Sequence, residues 1–176
     1  MDSVDVLALD KALEQVATAL AYFGCAIVTC IFLMIVIDVS MRILGYTPPG
    51  FTLSVVEYAL LYFAMCCAPF LVRQKGHVTI EALISVLPPV VRFVLAKIVY
   101  TACITVALLF AYYSLQLFLE GWESQEPDVR GIDMPYWTLY LPMPICFFLV
   151  AMEFARYLIG IDSYYSYDLG EVKDNV

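Results

Sequence analysis

The chain has 176 residues, of which 63% are hydrophobic and only 15% charged, with a mean hydropathy of +0.86. Soluble domains carry about 25% charged residues, so a water-facing globule is excluded and the bilayer is the natural solvent. The net charge of −8 is no nucleic-acid signal, since such proteins need a basic surface.

The N-terminal tail carries Asp2, Asp5, Asp10 and Glu14, where a cleaved signal peptide would be basic. The apolar run behind it is also too long for such a peptide. The tail is expected to form a short interfacial helix leading into the first span. A helix needs about 20 mainly apolar residues to cross the hydrocarbon core, which predicts four spans at about 16–37, 52–72, 91–119 and 134–159. An open sheet cannot replace them, because unpaired backbone groups are not tolerated in lipid. In the first span, Thr18, Tyr22, Cys25 and Thr29 form one stripe of small and weakly polar residues. Such stripes serve helix–helix contact, with a substrate path as the alternative. Pro48, Pro49 and Gly50 make a tight turn into the second span. That span is interrupted by Glu57, and Pro69 near its far end should kink or terminate it.

Beyond Arg73 and Lys75 comes the only histidine, His77. Ile80, Leu83, Ile84 and Leu87 then recur at helical spacing ahead of Pro88 and Pro89. This predicts an amphipathic helix at about 78–88, too short to span and lying in the interface. His77 has no nucleophile or metal partner in the sequence and is read as holding the junction by hydrogen bonding. In the third span, Lys97, Thr101, Thr105, Leu108, Tyr112 and Gln116 share a face. Lys97 either snorkels to the headgroups or pairs with another helix or subunit. An acidic loop over 120–133 brings Glu120, Glu123, Glu126, Asp128 and Asp133. In the fourth span, Pro142 and Pro144 should make the first half irregular, and Glu153 can pair with Arg156 at i, i+3.

All six cysteines fall inside predicted spans, without a CxxC pair, and one histidine cannot complete a Cys/His site. They are read as packing residues. Of the nine Lys and Arg residues, only Arg42 and Arg130 fall on the side of the 120–133 loop. The positive-inside rule then places both termini in the cytoplasm and that loop outside. An anionic solute site would need cations or helix N-termini at mid-membrane, and this chain has no cationic residue there and no detectable inverted repeat. The residues therefore do not suggest a solute site, nor a catalytic, metal or cofactor site. The alternative is a self-sufficient small four-helix transporter acting as a homo-oligomer, although the first span lacks the acid typical of such exporters. A four-helix cytochrome would need two axial histidines.

Arg73, Gly76, His77, Val78, Thr79, Ile80, Glu81, Ala82 and Leu83, closed by Leu87 and Pro88, carry a resemblance to a known family. They are similar to the end of the second helix in the small membrane subunit (DctQ-like, or Q subunit) of tripartite ATP-independent periplasmic (TRAP) transporters. Met134, Pro135, Tyr136 and Trp137, followed by Leu141 and Pro142, resemble the same family. A departure lies at the start of the second helix, where the family often has a Trp and one or two acids. Here Phe51, Ser54 and Glu57 take those positions.

The resemblance implies an all-α integral membrane protein with four transmembrane helices, forming one domain over residues 1–176 of a bacterial inner membrane protein. It implies a non-catalytic subunit that scaffolds and anchors a large elevator-type membrane subunit. Solutes of such systems are organic acids, captured by an extracytoplasmic solute-binding protein. Sodium drives the transport and is expected in the large partner, with no cofactor in this chain. Glu57, Arg73, His77, Lys97, Thr101, Thr105, Tyr112, Gln116, Glu153 and Arg156 are the candidate interface and anchor residues. Glu120, Glu123, Glu126, Asp128 and Asp133 are candidate contacts with the binding protein.

Overall fold

The structure is a computed structural model and describes residues 3–74, 88–125, 127–129 and 133–159. His77, Glu126 and residues 78–87 of the expected interfacial helix lie outside the described residues. In chain order the elements are α1 (Ser3–Ile43), α2 (Thr52–Arg73), α3 (Pro89–Ser124), β1 (Pro127–Val129), β2 (Asp133–Pro135), α4 (Trp137–Tyr140) and α5 (Pro142–Ile159). Among the described residues, four stretches are helical, long and apolar enough to cross a membrane: Asp10–Ile43, Thr52–Arg73, Val94–Ser124 and Trp137–Ile159.

The acidic tail does not form a helix of its own. It continues into the first span as one 41-residue helix. No proline interrupts this stretch, and its one glycine, Gly24, is buried in the pairing of α1 with α2. At 1.5 Å per residue α1 is about 60 Å long, twice the hydrocarbon thickness of about 30 Å. It therefore tilts, projects beyond the bilayer, or both. Gly45, at φ 82°, adopts the left-handed conformation that ends the helix before Pro48 and Pro49.

Pro69 lies inside α2, which continues to Arg73 rather than ending there. In the fourth span the irregularity is narrower than expected. A turn at Leu141 separates the single-turn α4 from α5, which is regular from Pro142 onward. Pro142 and Pro144 fall in the first turn of α5, where backbone N–H groups have no intrahelical acceptor to lose. The loop over 120–133 is shorter than expected, because α3 runs to Ser124. Gln125, at φ 50°, turns the chain into a small antiparallel hairpin pairing Pro127 with Pro135 and Val129 with Asp133.

Packing runs in the order α1–α2–α5–α3, as two antiparallel pairs joined through α2 and α5. The α1–α2 contact depends on Gly24, where a Cβ would sit 2.7 Å from the Cys67 Sγ and 3.5 Å from the Phe63 ring. Ala17, Gly24 and Ile31, seven residues apart, are buried along this seam. Between α2, α3 and α5, Val72, Tyr100 and Tyr157 form a core cluster against Ala96, Val150, Phe154 and Leu158. Phe118, Trp122 and Trp137 stack at the opposite end of α3, with ring centroids 5.0–6.2 Å apart. Gly121 admits the Trp137 backbone there: a Cβ would lie 3.2 Å from its nitrogen.

Candidate functional site

The most developed polar site is a charge network at one end of the helix layer. Arg73 closes the last turn of α2, and Asp10 and Glu14 stand one turn apart on α1. Glu153 and Arg156, at i, i+3, face inward from the last turns of α5. Arg73 Nη2 donates to Asp10 Oδ1 at 3.1 Å and to Glu14 Oε2 at 3.3 Å, while its Nη1 donates to Glu153 Oε1 at 3.1 Å. Arg156 Nη1 lies 3.4 Å from both Glu153 Oε2 and Asp10 Oδ1. Glu153 is 1% exposed and Arg156 7%. A buried charge is stable only when paired and hydrogen-bonded. Here Arg73 of α2 reaches α1 and α5, and Arg156 of α5 reaches α1, so the pairing that solvates the charges also joins α1, α2 and α5.

Two further bonds extend the junction. The Tyr157 hydroxyl is shared between the Val72 and Arg73 carbonyls, at 3.1 Å each, in the last turn of α2. Carbonyls there lack intrahelical donors. The Tyr157 ring packs against Tyr100, with centroids 5.8 Å apart, and under the Arg156 guanidinium at 5.0 Å. Lys97 of α3 donates to the Leu158 carbonyl, capping the end of α5 with a cation, where the helix dipole favours one. Lys97 is therefore tied to a helix end within the chain. All four long helices meet at this level.

Sequence reading missed Asp10, Glu14 and Tyr157. The i, i+4 spacing of the two acids was the only local signal. It also missed Tyr62, whose hydroxyl donates to the Thr138 carbonyl at 2.6 Å and ties α2 to α4.

The other candidate residues lie elsewhere. Thr101, Thr105, Tyr112 and Gln116 are exposed along α3. Both threonine hydroxyls bond back to their own helix, to the Lys97 and Thr101 carbonyls, and Gln116 Nε2 donates to the Tyr112 hydroxyl at 2.9 Å. On α1, Tyr22, Cys25 and Thr29 also face outward, so this stripe is not the seam with α2. Glu57 is exposed on α2, and Glu120 and Glu123 are exposed near the end of α3. The backbones of Asp128 and Asp133 lie in the two short strands.

All six cysteines are free. Cys66 and Cys146 are buried, Cys67 and Cys103 partly so, but Cys25 and Cys30 are exposed. Those two therefore do not pack inside this chain, because they lie on the outward face of α1. Among the described residues no cluster of three His, Cys, Asp or Glu side chains could hold a metal ion.

The family model "Tripartite ATP-independent periplasmic transporters, DctQ component" matches residues 31–161, well over half of the chain. No curated protein and no solved structure matches it.

Proposed function

We infer the role of the chain from its family: it belongs to the DctQ components of the tripartite ATP-independent periplasmic transporters. It carries four apolar helices suited to a membrane. We propose that it is the non-catalytic small subunit that scaffolds and anchors the large membrane subunit of such a system. In this reading the large subunit carries an organic acid across the bacterial inner membrane, driven by sodium, after a solute-binding protein delivers it. Both termini of this chain are then cytoplasmic.

The observation that supports a scaffold is the placement of charge. The buried charges of Glu153 and Arg156 and the partly buried ones of Asp10 and Arg73 pair with one another and hold helices together. The outer faces of α1 and α3 are left exposed and largely apolar, with Phe32 66% and Ile98 60% exposed. We assign the α3 face bearing Thr101, Thr105, Tyr112 and Gln116 to the large subunit, with the Tyr22–Cys25–Thr29 stripe of α1 as a second contact. Glu57 lies at the margin of that contact. Glu120, Glu123, Glu126, Asp128 and Asp133 are assigned to the docked binding protein, with His77 holding the junction after α2.

Affinity purification of the tagged chain from its native membranes in mild detergent tests the assignment. A stoichiometric, larger polytopic protein is the expected companion. A chain that elutes as a stable homo-oligomer and transports alone in liposomes would overturn the scaffold and establish the self-sufficient transporter. For the acidic side, Glu120→Gln with Glu123→Gln is expected to slow uptake and flatten its salt dependence. Unchanged uptake and salt dependence would reject that contact.

A further inference from the structure

At the opposite end of α1 from the charge network, a second charged group lines a pocket of about 410 Å³. The pocket lies between α1, the turn at Pro48–Pro49–Gly50 and the start of α2, with Ile35, Asp38, Arg42, Leu53 and Val56 among its walls. Arg42 Nε donates to Asp38 Oδ2 at 2.8 Å, one helical turn away. The Asp38 side chain is 14% exposed and that of Arg42 65%. The second Asp38 oxygen, Oδ1, is buried and accepts no hydrogen bond among the described residues, so the carboxylate is committed to Arg42.

This geometry fixes the guanidinium through its Nε, on a side chain that is itself largely exposed. Neither terminal nitrogen has a partner among the described residues. Such a fork matches phosphate oxygens two at a time. The pocket is also ordered along α1. Arg42 is nearest the turn, Asp38 is a turn deeper, and Ile35 is about 10 Å below Arg42 along the helix. Leu53 and Val56 continue the apolar wall on α2. A cation at the helix end, followed inward by apolar side chains, repeats the order of a phospholipid's headgroup and acyl chain.

We propose that this pocket is a phospholipid site. Arg42 binds the headgroup phosphate of the leaflet at the α1–α2 turn, Asp38 positions Arg42, and an acyl chain lies against Ile35, Leu53 and Val56. The site is independent of the scaffold assignment, because it needs only this chain and a bilayer.

The test is native mass spectrometry of the full chain in mild detergent, supplied with phosphatidylglycerol. The wild type is expected to retain one lipid through activation that strips the rest. Arg42→Gln is expected to lower the retained fraction about tenfold, the loss of a two-pronged charged contact. Arg42→Lys, which keeps the charge without the fork, and Asp38→Asn, which loosens the positioning, are expected to lower it by smaller factors. A thermal midpoint for Arg42→Gln equal to wild type shows that the fold survives. Excess glycerol phosphate separates the two sources of phosphate: a lipid site keeps its lipid, whereas complete displacement reassigns the pocket to a soluble anion. Equal retention by wild type and Arg42→Gln overturns the proposal and leaves Arg42 for a carboxylate on a partner protein.

Discussion

Replacing Glu153 by glutamine keeps the side-chain shape and removes the charge that two arginines share. Glu153 gives Oε1 to Arg73 at 3.1 Å and Oε2 to Arg156 at 3.4 Å, and is 1% exposed. Glutamine offers one acceptor. If that faces Arg73, its amide hydrogens face Arg156, and a donor then meets a donor inside the protein. Breaking a buried pair costs about 3–5 kcal/mol. Glu14→Gln provides the contrast. Its carboxylate meets the same Arg73 at 3.3 Å, but its side chain is 59% exposed. Water replaces such a contact, and exposed pairs contribute about 0.2–1 kcal/mol.

For a chain of this length, 1 kcal/mol moves the thermal midpoint by about 2–4 °C. Glu153→Gln is therefore expected to lower it by about 6–20 °C, and Glu14→Gln by less than about 4 °C. The assay is thermal unfolding of the purified chain in one detergent at one lipid content, with wild type and both variants run in parallel. Equal shifts for the two variants, or a shift below about 2 °C for Glu153→Gln, would refute the argument that burial sets the value of this network.

Tyr157→Phe keeps the ring against Tyr100 but removes the hydroxyl donor shared by the Val72 and Arg73 carbonyls, for an expected loss of about 1–3 kcal/mol by the same assay. Gly24→Ala places a methyl against the Cys67 Sγ and is expected to cost about 1–3 kcal/mol. Adding Cys67→Ala should restore most of that loss, and failure of this rescue would locate the strain elsewhere on the α1–α2 seam.

The four spans were legible because lipid imposes a run length that the sequence cannot hide. The ends were not. Glu14, like Glu120 and Glu123, is excluded from hydrocarbon but remains a good helix former. So α1 and α3 continue past the point where hydropathy stops reporting. The hairpin of β1 and β2 escaped for the opposite reason, since three-residue strands bounded by proline carry no periodicity to read. Within the charge network only Glu153 and Arg156 were local enough to pair by spacing. Arg73 and Asp10 are 63 positions apart, and nothing in either neighbourhood names the other.

A longer period did contain that information. Asp10, Ala17, Gly24, Ile31 and Asp38 stand seven residues apart along α1. A seven-residue row keeps one side of a helix toward its neighbour. The three inner members are buried, and at Gly24 the missing side chain makes room for the Cys67 Sγ of α2. The two aspartates end the row, and each is held by an arginine at its own end of the hairpin: Asp10 by Arg73, and Asp38 by Arg42. The more polar stripe of Thr18, Tyr22, Cys25 and Thr29 drew the eye because polar groups in lipid are expensive. Yet threonine satisfies its hydroxyl on its own helix, as Thr29 does on the Cys25 carbonyl at 2.9 Å, and can then face outward at little cost. A carboxylate has no such option, because the backbone of its own helix interior offers it no free donor. In this chain the acids that end an apolar row mark the inward face more reliably than the hydroxyls do.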